Sequence, residues 1–261
     1  MRSYATAALV IRRINYGETD KILTLYSRDR GRFSAIAKGA RKPISRLSGA
    51  TELLTLSKFG LATGKSLEVI SQAEVSESFP SLHAELPRLA HALYLAELVD
   101  HSVEDHEPNP LLFDLLIAGL YLLQRVTPPE LAARWFEVQL ISDLGYAPDF
   151  AACAVCRAPV PGAFPEGEKF GLSASGGSAL CPRHTRVATN PDHSALTRDS
   201  LIFLQTLANL NPEDANLLPS LQLPDVRSMN LARLALRRFL RYHLDRELRS
   251  LEFLDSISHN G

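Results

Sequence analysis

The sequence predicts an α+β protein: an N-terminal five-stranded β-barrel at residues 1–80, then an α-helical domain at 81–261 carrying an inserted metal-binding loop at 150–190. Three observations point there. Apolar residues recur in short, turn-separated, strand-like runs as far as residue 80 and at helical spacing beyond it. Every cysteine of the chain falls in one CxxC or one CxxH pair. Charge is sorted along the chain, with 13 Lys/Arg against 7 Asp/Glu in 1–80, 3 against 11 in 81–150, and 12 against 11 in 151–261.

Five runs rich in Val, Ile, Leu, Thr and Tyr, at 3–13, 21–27, 32–38, 50–59 and 67–75, read as strands. Tyr16-Gly17, Asp29-Arg30-Gly31 and the stretch from Gly60 to Gly64 divide them as turns. Five strands in this length suggest a small closed barrel, for which the OB-fold, a Greek-key barrel that binds oligonucleotides, is the natural candidate. Periodicity leaves an SH3-like barrel or a small sandwich open. Gly60-Leu61-Ala62-Thr63-Gly64-Lys65-Ser66 superficially looks like a phosphate-binding loop, but it has three residues between its glycines where four are needed, and a strand follows. It reads as a hairpin turn.

Helices follow. Pro87 opens one that carries Leu89, Leu93, Ala96 and Val99, and Asn109-Pro110 pairs an N-cap with a proline at the first helical position. Thr127-Pro128-Pro129-Glu130 reads as a capping box launching a helix through Trp135, Phe136 and Leu140 that Gly145 ends. Beyond the metal loop, helices are expected at 197–210 and 228–251, with a linker at 211–224. The longest apolar stretch, 111–123, contains Asp114 and falls short of the about 20 apolar residues that a bilayer requires, so no membrane association is expected. Met1-Arg2-Ser3-Tyr4 leads straight into a patterned segment, and no signal peptide is expected.

Cys153-Ala154-Val155-Cys156 and Cys181-Pro182-Arg183-His184 supply the chemistry that is most specific in the chain. A CxxC turn sets two thiolates at the separation a tetrahedral Zn²⁺ needs, and a second knuckle adds two more ligands. A redox CxxC would leave Cys181 and His184 without a role. One structural Zn²⁺ per chain is therefore expected on Cys153, Cys156, Cys181 and His184; four protein ligands leave no open position for water. Thiolates reserved for metal fit a reducing cytoplasm. Asp100-His101 with Glu104, Asp105, His106 and Glu107 reads as a solvated acidic loop and not as a second metal site.

Within 28–46, Arg28, Arg30, Arg32, Lys38, Arg41, Lys42 and Arg46 face the single acid Asp29. Such a field attracts phosphates, and with Tyr16, Tyr26, Phe33 and Phe59 in the same segment it fits nucleic-acid binding without sequence preference. Each aromatic taken alone reads first as core. At 100° per residue Leu236, Phe239, Leu240, Leu244, Leu251 and Leu254 share one face of the terminal helix, with Arg238, Arg241 and Arg249 pointing away and Asp245 among them. No GxSxG, no HExxH and no cysteine outside the knuckles is present, so no enzyme is indicated.

Gly17-Glu18-Thr19-Asp20-Lys21-Ile22-Leu23-Thr24-Leu25, Gly31-Arg32, Ala37-Lys38-Gly39-Ala40-Arg41-Lys42 and Ser45-Arg46 resemble the N-terminal signature of the bacterial recombination mediator family RecO. Phe136-Glu137, then Leu144-Gly145-Tyr146-Ala147-Pro148 into the CxxC, and Leu248-Arg249-Ser250-Leu251-Glu252-Phe253-Leu254 are similar to the family's central segment and terminal helix. The resemblance implies an OB-fold and a helical domain with a zinc knuckle; His184 departs from the four-cysteine version. It also implies binding of single- and double-stranded DNA, annealing of complementary strands, and, with RecR, loading of RecA on DNA coated by single-strand-binding protein (SSB). No nucleotide hydrolysis is implied. Lys38, Arg41, Lys42 and Arg46 are the main expected phosphate contacts, then Arg28, Arg30 and Arg32, then Arg238 and Arg241. An acidic, aromatic-ended SSB tail is expected at the terminal helix, between its leucines and Arg233, Arg237, Arg238 and Arg241. The location expected is the cytoplasm, on the nucleoid. A protein-interaction adaptor whose basic barrel docks acidic partners is the alternative.

Overall fold

A computed structural model describes residues 3–64, 66–187 and 192–258. Strands β1 (Ser3–Tyr16), β2 (Asp20–Ser27), β3 (Gly31–Ala37), β4 (Leu56–Ala62) and β5 (Glu68–Glu77) close a barrel in the order β1-β2-β3-β5-β4. All pairs are antiparallel except β3 with β5, which run parallel through Ala35↔Glu68 and Ile36↔Val69. This is the OB-fold, and the SH3-like and sandwich alternatives fall away. Alternation puts Ala8, Val10, Leu23, Leu25, Phe33, Ala35, Phe59, Leu61 and Ile70 inside as the core. Each large side chain buried there contributes about 1.5–3 kcal/mol.

A bulge in β1 between Val10 and Arg12 resets that alternation. Beyond it, Ile14 lies across from Ile22, Ile22 from Ile36, and Ile36 from Val69, one row over four strands with Ile14 48% exposed. The strands run to different ends than expected: a 3₁₀ turn occupies Gly49–Thr51 ahead of β4, and Gly60 lies inside β4, leaving only Gly64 in the turn. Lys65 of the rejected phosphate loop lies outside the described residues.

The chain divides into two compact units, one of residues 1–125 with 248–261 and one of 126–247. Strand gives way to helix near residue 80, whereas the compact division comes later. In the first unit α1 (Pro80–Ala84), α2 (Leu86–Ser102) and α3 (Pro110–Arg125) follow the barrel. Asn109 caps α3 by accepting the Leu112 amide at 3.0 Å. The acidic loop before α3 is not merely solvated. His106 donates its amide to the Arg32 carbonyl at 2.8 Å, and Gly31, at φ +66°, lets the loop approach where a Cβ would overlap the Glu107 backbone.

The second unit holds α4 (Pro129–Asp143), β6 (Asp149–Cys153), β7 (Phe170–Ser173), β8 (Ser178–Leu180), α5 (Pro182–Val187), β9 (His193–Leu196), α6 (Arg198–Asn209), a 3₁₀ segment at Pro212–Ser220 and α7 (Val226–Leu244). Its four-stranded sheet, ordered β6-β8-β7-β9, was not anticipated by a purely helical reading. Thr127 is not the N-cap of α4 as expected: Pro128 holds that position and gives no side-chain bond. Thr197 does form one with Ser200 at α6, worth about 1 kcal/mol. Gly145, at φ +83°, ends α4 as expected.

The single terminal helix expected at 228–251 is two helices. Asp245 takes a left-handed conformation at φ +48° and stops α7, and α8 (Arg249–Ser258) returns to the first unit. There Glu97 of α2 caps α8, accepting the amides of Arg249 at 3.0 Å and Ser250 at 2.8 Å. The apolar face drawn from Leu236 to Leu254 is thus broken. Leu236, Phe239 and Leu240 are interior to the second unit and Leu254 is buried in the first.

Candidate metal centre and nucleic-acid interface

Strand pairing builds the metal site. β6 and β8 run parallel with Cys153 opposite Ala179, and Ala154 donates its amide to the Ala179 carbonyl at 2.8 Å. Cys181, two residues past Ala179, therefore comes beside the CxxC turn, and the first turn of α5 brings His184 back over it. The CxxC turn closes through the Arg157 amide on the Cys153 carbonyl at 2.9 Å, with Arg157 at φ +60°.

The four ligand atoms lie within 4.8 Å of one another. Cys156 Sγ is 3.9 Å from Cys181 Sγ, and His184 Nδ1 is 3.4 Å from Cys153 Sγ and 3.2 Å from Cys181 Sγ. A tetrahedral ion with thiolate and imidazole ligands has edges of about 3.8 Å between sulfurs and about 3.5 Å between sulfur and nitrogen. The residues fit one metal ion. Burial raises the Cys153 thiol, but the amides of Cys156, Cys181 and Val155 and the His184 ring outweigh it and hold the pKa at about 6. Burial raises Cys181 instead. Cys153 and Cys181 are buried and Cys156 is exposed.

The expected phosphate-binding cations are divided by their surroundings. Arg28 grips Asp114 of α3 with Nε and Nη2 at 3.0 Å each, and Arg32 is held by Asp105 at 2.7 Å and Asp100 at 3.2 Å. Either would have to leave its carboxylates to reach a phosphate. Arg30 lies over the Tyr4 ring at 3.9 Å. Lys38, Arg41, Lys42 and Arg46 are exposed and make no ion pair among the described residues. All four stand on the loop between β3 and β4. That loop is stapled to the β1–β2 turn: the Arg41 amide bonds the Thr19 carbonyl at 2.8 Å, the Arg41 guanidinium the Gly17 carbonyl at 2.9 Å, and the Gly39 amide Asp20 at 2.8 Å.

Of the barrel aromatics, Tyr26, Phe33 and Phe59 are core, as expected of each taken alone, and Tyr16 is 55% exposed. Tyr16 adjoins Gly17, so an exposed ring and the stapled cations share one corner of the barrel. Sequence reasoning passed over Ile44 and Arg12, both exposed; only the folded loop and the bulge distinguish them from ordinary core and strand residues.

In the second unit Arg238 donates to the His193 carbonyl at 2.6 Å and Arg241 pairs with Glu247 at 3.3 Å. With Arg246, Tyr242 and Asp245 they line an open cleft of about 640 Å³. Of the leucines meant to form a docking pocket there, Leu236 and Leu240 are interior and Leu244 is half-buried, while Leu251 and Leu254 belong to the first unit. Among the described residues no helix is long and apolar enough to cross a membrane.

Residues 1–79 match the family model described as recombination protein O N terminal, and residues 83–252 the one described as recombination protein O C terminal. The DNA repair protein RecO of Pelotomaculum thermopropionicum is 39% identical over 255 residues, spanning 98% of this chain and 94% of that protein. That of Heliobacterium modesticaldum is 40% identical over 218 residues, 82% of this chain and 77% of that protein. That of Symbiobacterium thermophilum is 33% identical over 258 residues and spans 98% of both.

Proposed function

We propose, for a chain that belongs to the RecO family of DNA repair proteins, that it acts without catalysis as a recombination mediator. It binds single- and double-stranded DNA, anneals complementary strands, and with RecR promotes RecA loading on SSB-coated DNA. The observation that carries this reading is the loop of Lys38, Arg41, Lys42 and Arg46, exposed, without ion pairs among the described residues and fastened beside the exposed Tyr16. Cations in that state release counterions on meeting phosphates, and a neighbouring ring stacks on any base. Two strands neutralised on one surface repel each other less, which favours their pairing. Binding of this kind places the protein on the nucleoid.

The metal is zinc in this reading, one ion per chain on Cys153, Cys156, Cys181 and His184. Three thiolates and an imidazole suit Zn²⁺, and the full ligand set makes it structural. When bound, it supplies folding energy to the CxxC turn and the start of α5. Arg30 joins the phosphate contacts; Arg28 and Arg32 contribute only on leaving their acids; Arg238 and Arg241 form a secondary patch. An acidic SSB tail would meet Arg238, Arg241 and Arg246 around Tyr242 in the cleft, without the leucines first expected.

The adaptor alternative has one observation in its favour: Arg28 and Arg32 already hold carboxylates of the same chain. Binding of isolated oligonucleotides of unrelated sequence, measured against salt, separates the two. Sequence-tolerant, salt-sensitive binding supports the DNA reading; no binding at low salt rejects it.

A further inference from the structure

The loop between β3 and β4 holds an apolar tip in water. Ile44 is 97% exposed, and Pro43 before it is exposed too. A slack tip would fold its isoleucine onto the barrel, but this one is held out by its own turns. Lys42 donates its amide to Gly39 at 3.1 Å, Ser45 to Lys42 at 3.0 Å and Ser48 to Ser45 at 3.2 Å. Ser45 Oγ accepts the Leu47 amide at 3.3 Å. On one shoulder Ala40 is fully buried in the barrel core, and on the other Leu47 packs against that core. Pro43 fixes its own φ between them. The tip is thus a braced apolar point with Lys42 on one side and Arg46 on the other.

We propose that Pro43-Ile44 is a wedge for duplex DNA: Ile44 enters a weakly stacked base step while Lys42 and Arg46 hold the phosphates flanking it. The inference rests on the reading of this loop as a DNA site. Isoleucine and proline are among the side chains that part base steps, and pyrimidine–purine steps and mismatches yield most easily. Phosphate contact alone requires cations and gains nothing from an isoleucine among them. A wedge gives the loop a preference that charge cannot supply, for duplex sites already weak in stacking. Cations on both flanks favour a polyanion over an apolar protein groove as the occupant.

The test titrates the 261-residue chain onto a duplex carrying 2-aminopurine at a central TA step. The expected result is a fluorescence rise of roughly twofold or more as the base unstacks, which Ile44→Ser abolishes while keeping salt-dependent binding. Because the side chain touches solvent, Ile44→Ser should leave the melting temperature unchanged. A bound wild-type protein that leaves the fluorescence flat, or a rise that survives in Ile44→Ser, overturns the wedge and leaves the DNA reading intact. Loss of a protein partner in Ile44→Ser with the duplex signal unchanged also overturns it, assigning the tip to a protein interface. Failure of the wild-type protein to bind any oligonucleotide at low salt rejects the DNA reading itself, and the wedge with it.

Discussion

The Asp20 carboxylate accepts the Gly39 amide at 2.8 Å, tying the head of the cationic loop to the β1–β2 turn. That amide, the Thr19 hydroxyl and the charges of Lys38 and Lys42 hold its pKa below the ordinary 3.8. A carboxyl lowered in the folded state stabilises above its unfolded pKa and stops doing so as pH falls through the folded one. The tie therefore persists across neutral pH and is lost only below about pH 4. Asp20→Ala should release the loop at pH 7, seen as faster proteolysis after Lys38 or Arg41 with little change in overall melting. Unchanged cleavage would show that the other staples suffice.

Removing the metal should unfold the knuckle, since ligand binding and local folding are coupled. Cys153→Ser is expected to lose one equivalent of metal and to lower melting by on the order of 10 °C. Elemental analysis of the wild-type protein without stoichiometric zinc would contradict the assignment.

Lys38→Ala, Arg41→Ala and Lys42→Ala together should weaken binding equally for unrelated oligonucleotides. The log–log salt slope should flatten by about one unit for each lost phosphate contact. Arg28→Ala, whose partner is Asp114, should change the slope least. Equal slopes in the triple variant and the wild type would move the DNA site elsewhere.

Arg134 and Glu137 form a 2.6 Å ion pair on α4, 2% and 0% exposed. Glu137→Ala strands a buried guanidinium and should cost about 3–5 kcal/mol, whereas Arg134→Met with Glu137→Leu should be close to neutral. Denaturant unfolding of both variants checks this; equal losses would mean that the pair itself supplies net stability.

The knuckle was legible because its ligands are local pairs, and the barrel because its strands run seven residues or more with period two. The sheet in the second unit was not, since β8 has three residues and β7 and β9 four, too few for a period to register. The break at Asp245 was hidden because the leucines on either side of it fit one helical face, and a left-handed aspartate carries no sequence mark as strong as glycine. The pairing of Arg28 and Arg32 was invisible for another reason. Their acids lie 86 and 73 residues further on, and only the folded chain brings them together.

The Glu97 cap on α8 sets an order of events during synthesis. The first unit is completed by residues 249–258, which leave the ribosome only after all of 126–247 has been made. At cellular elongation rates that interval is on the order of ten seconds. During it α2 waits, translated but unpartnered along the side that α8 will cover, with the Glu97 carboxylate facing water. The nascent first unit is thus exposed along α2 to chaperones and to premature association for as long as the second unit takes to emerge. Any fusion that delays residues 249–258 lengthens that exposure.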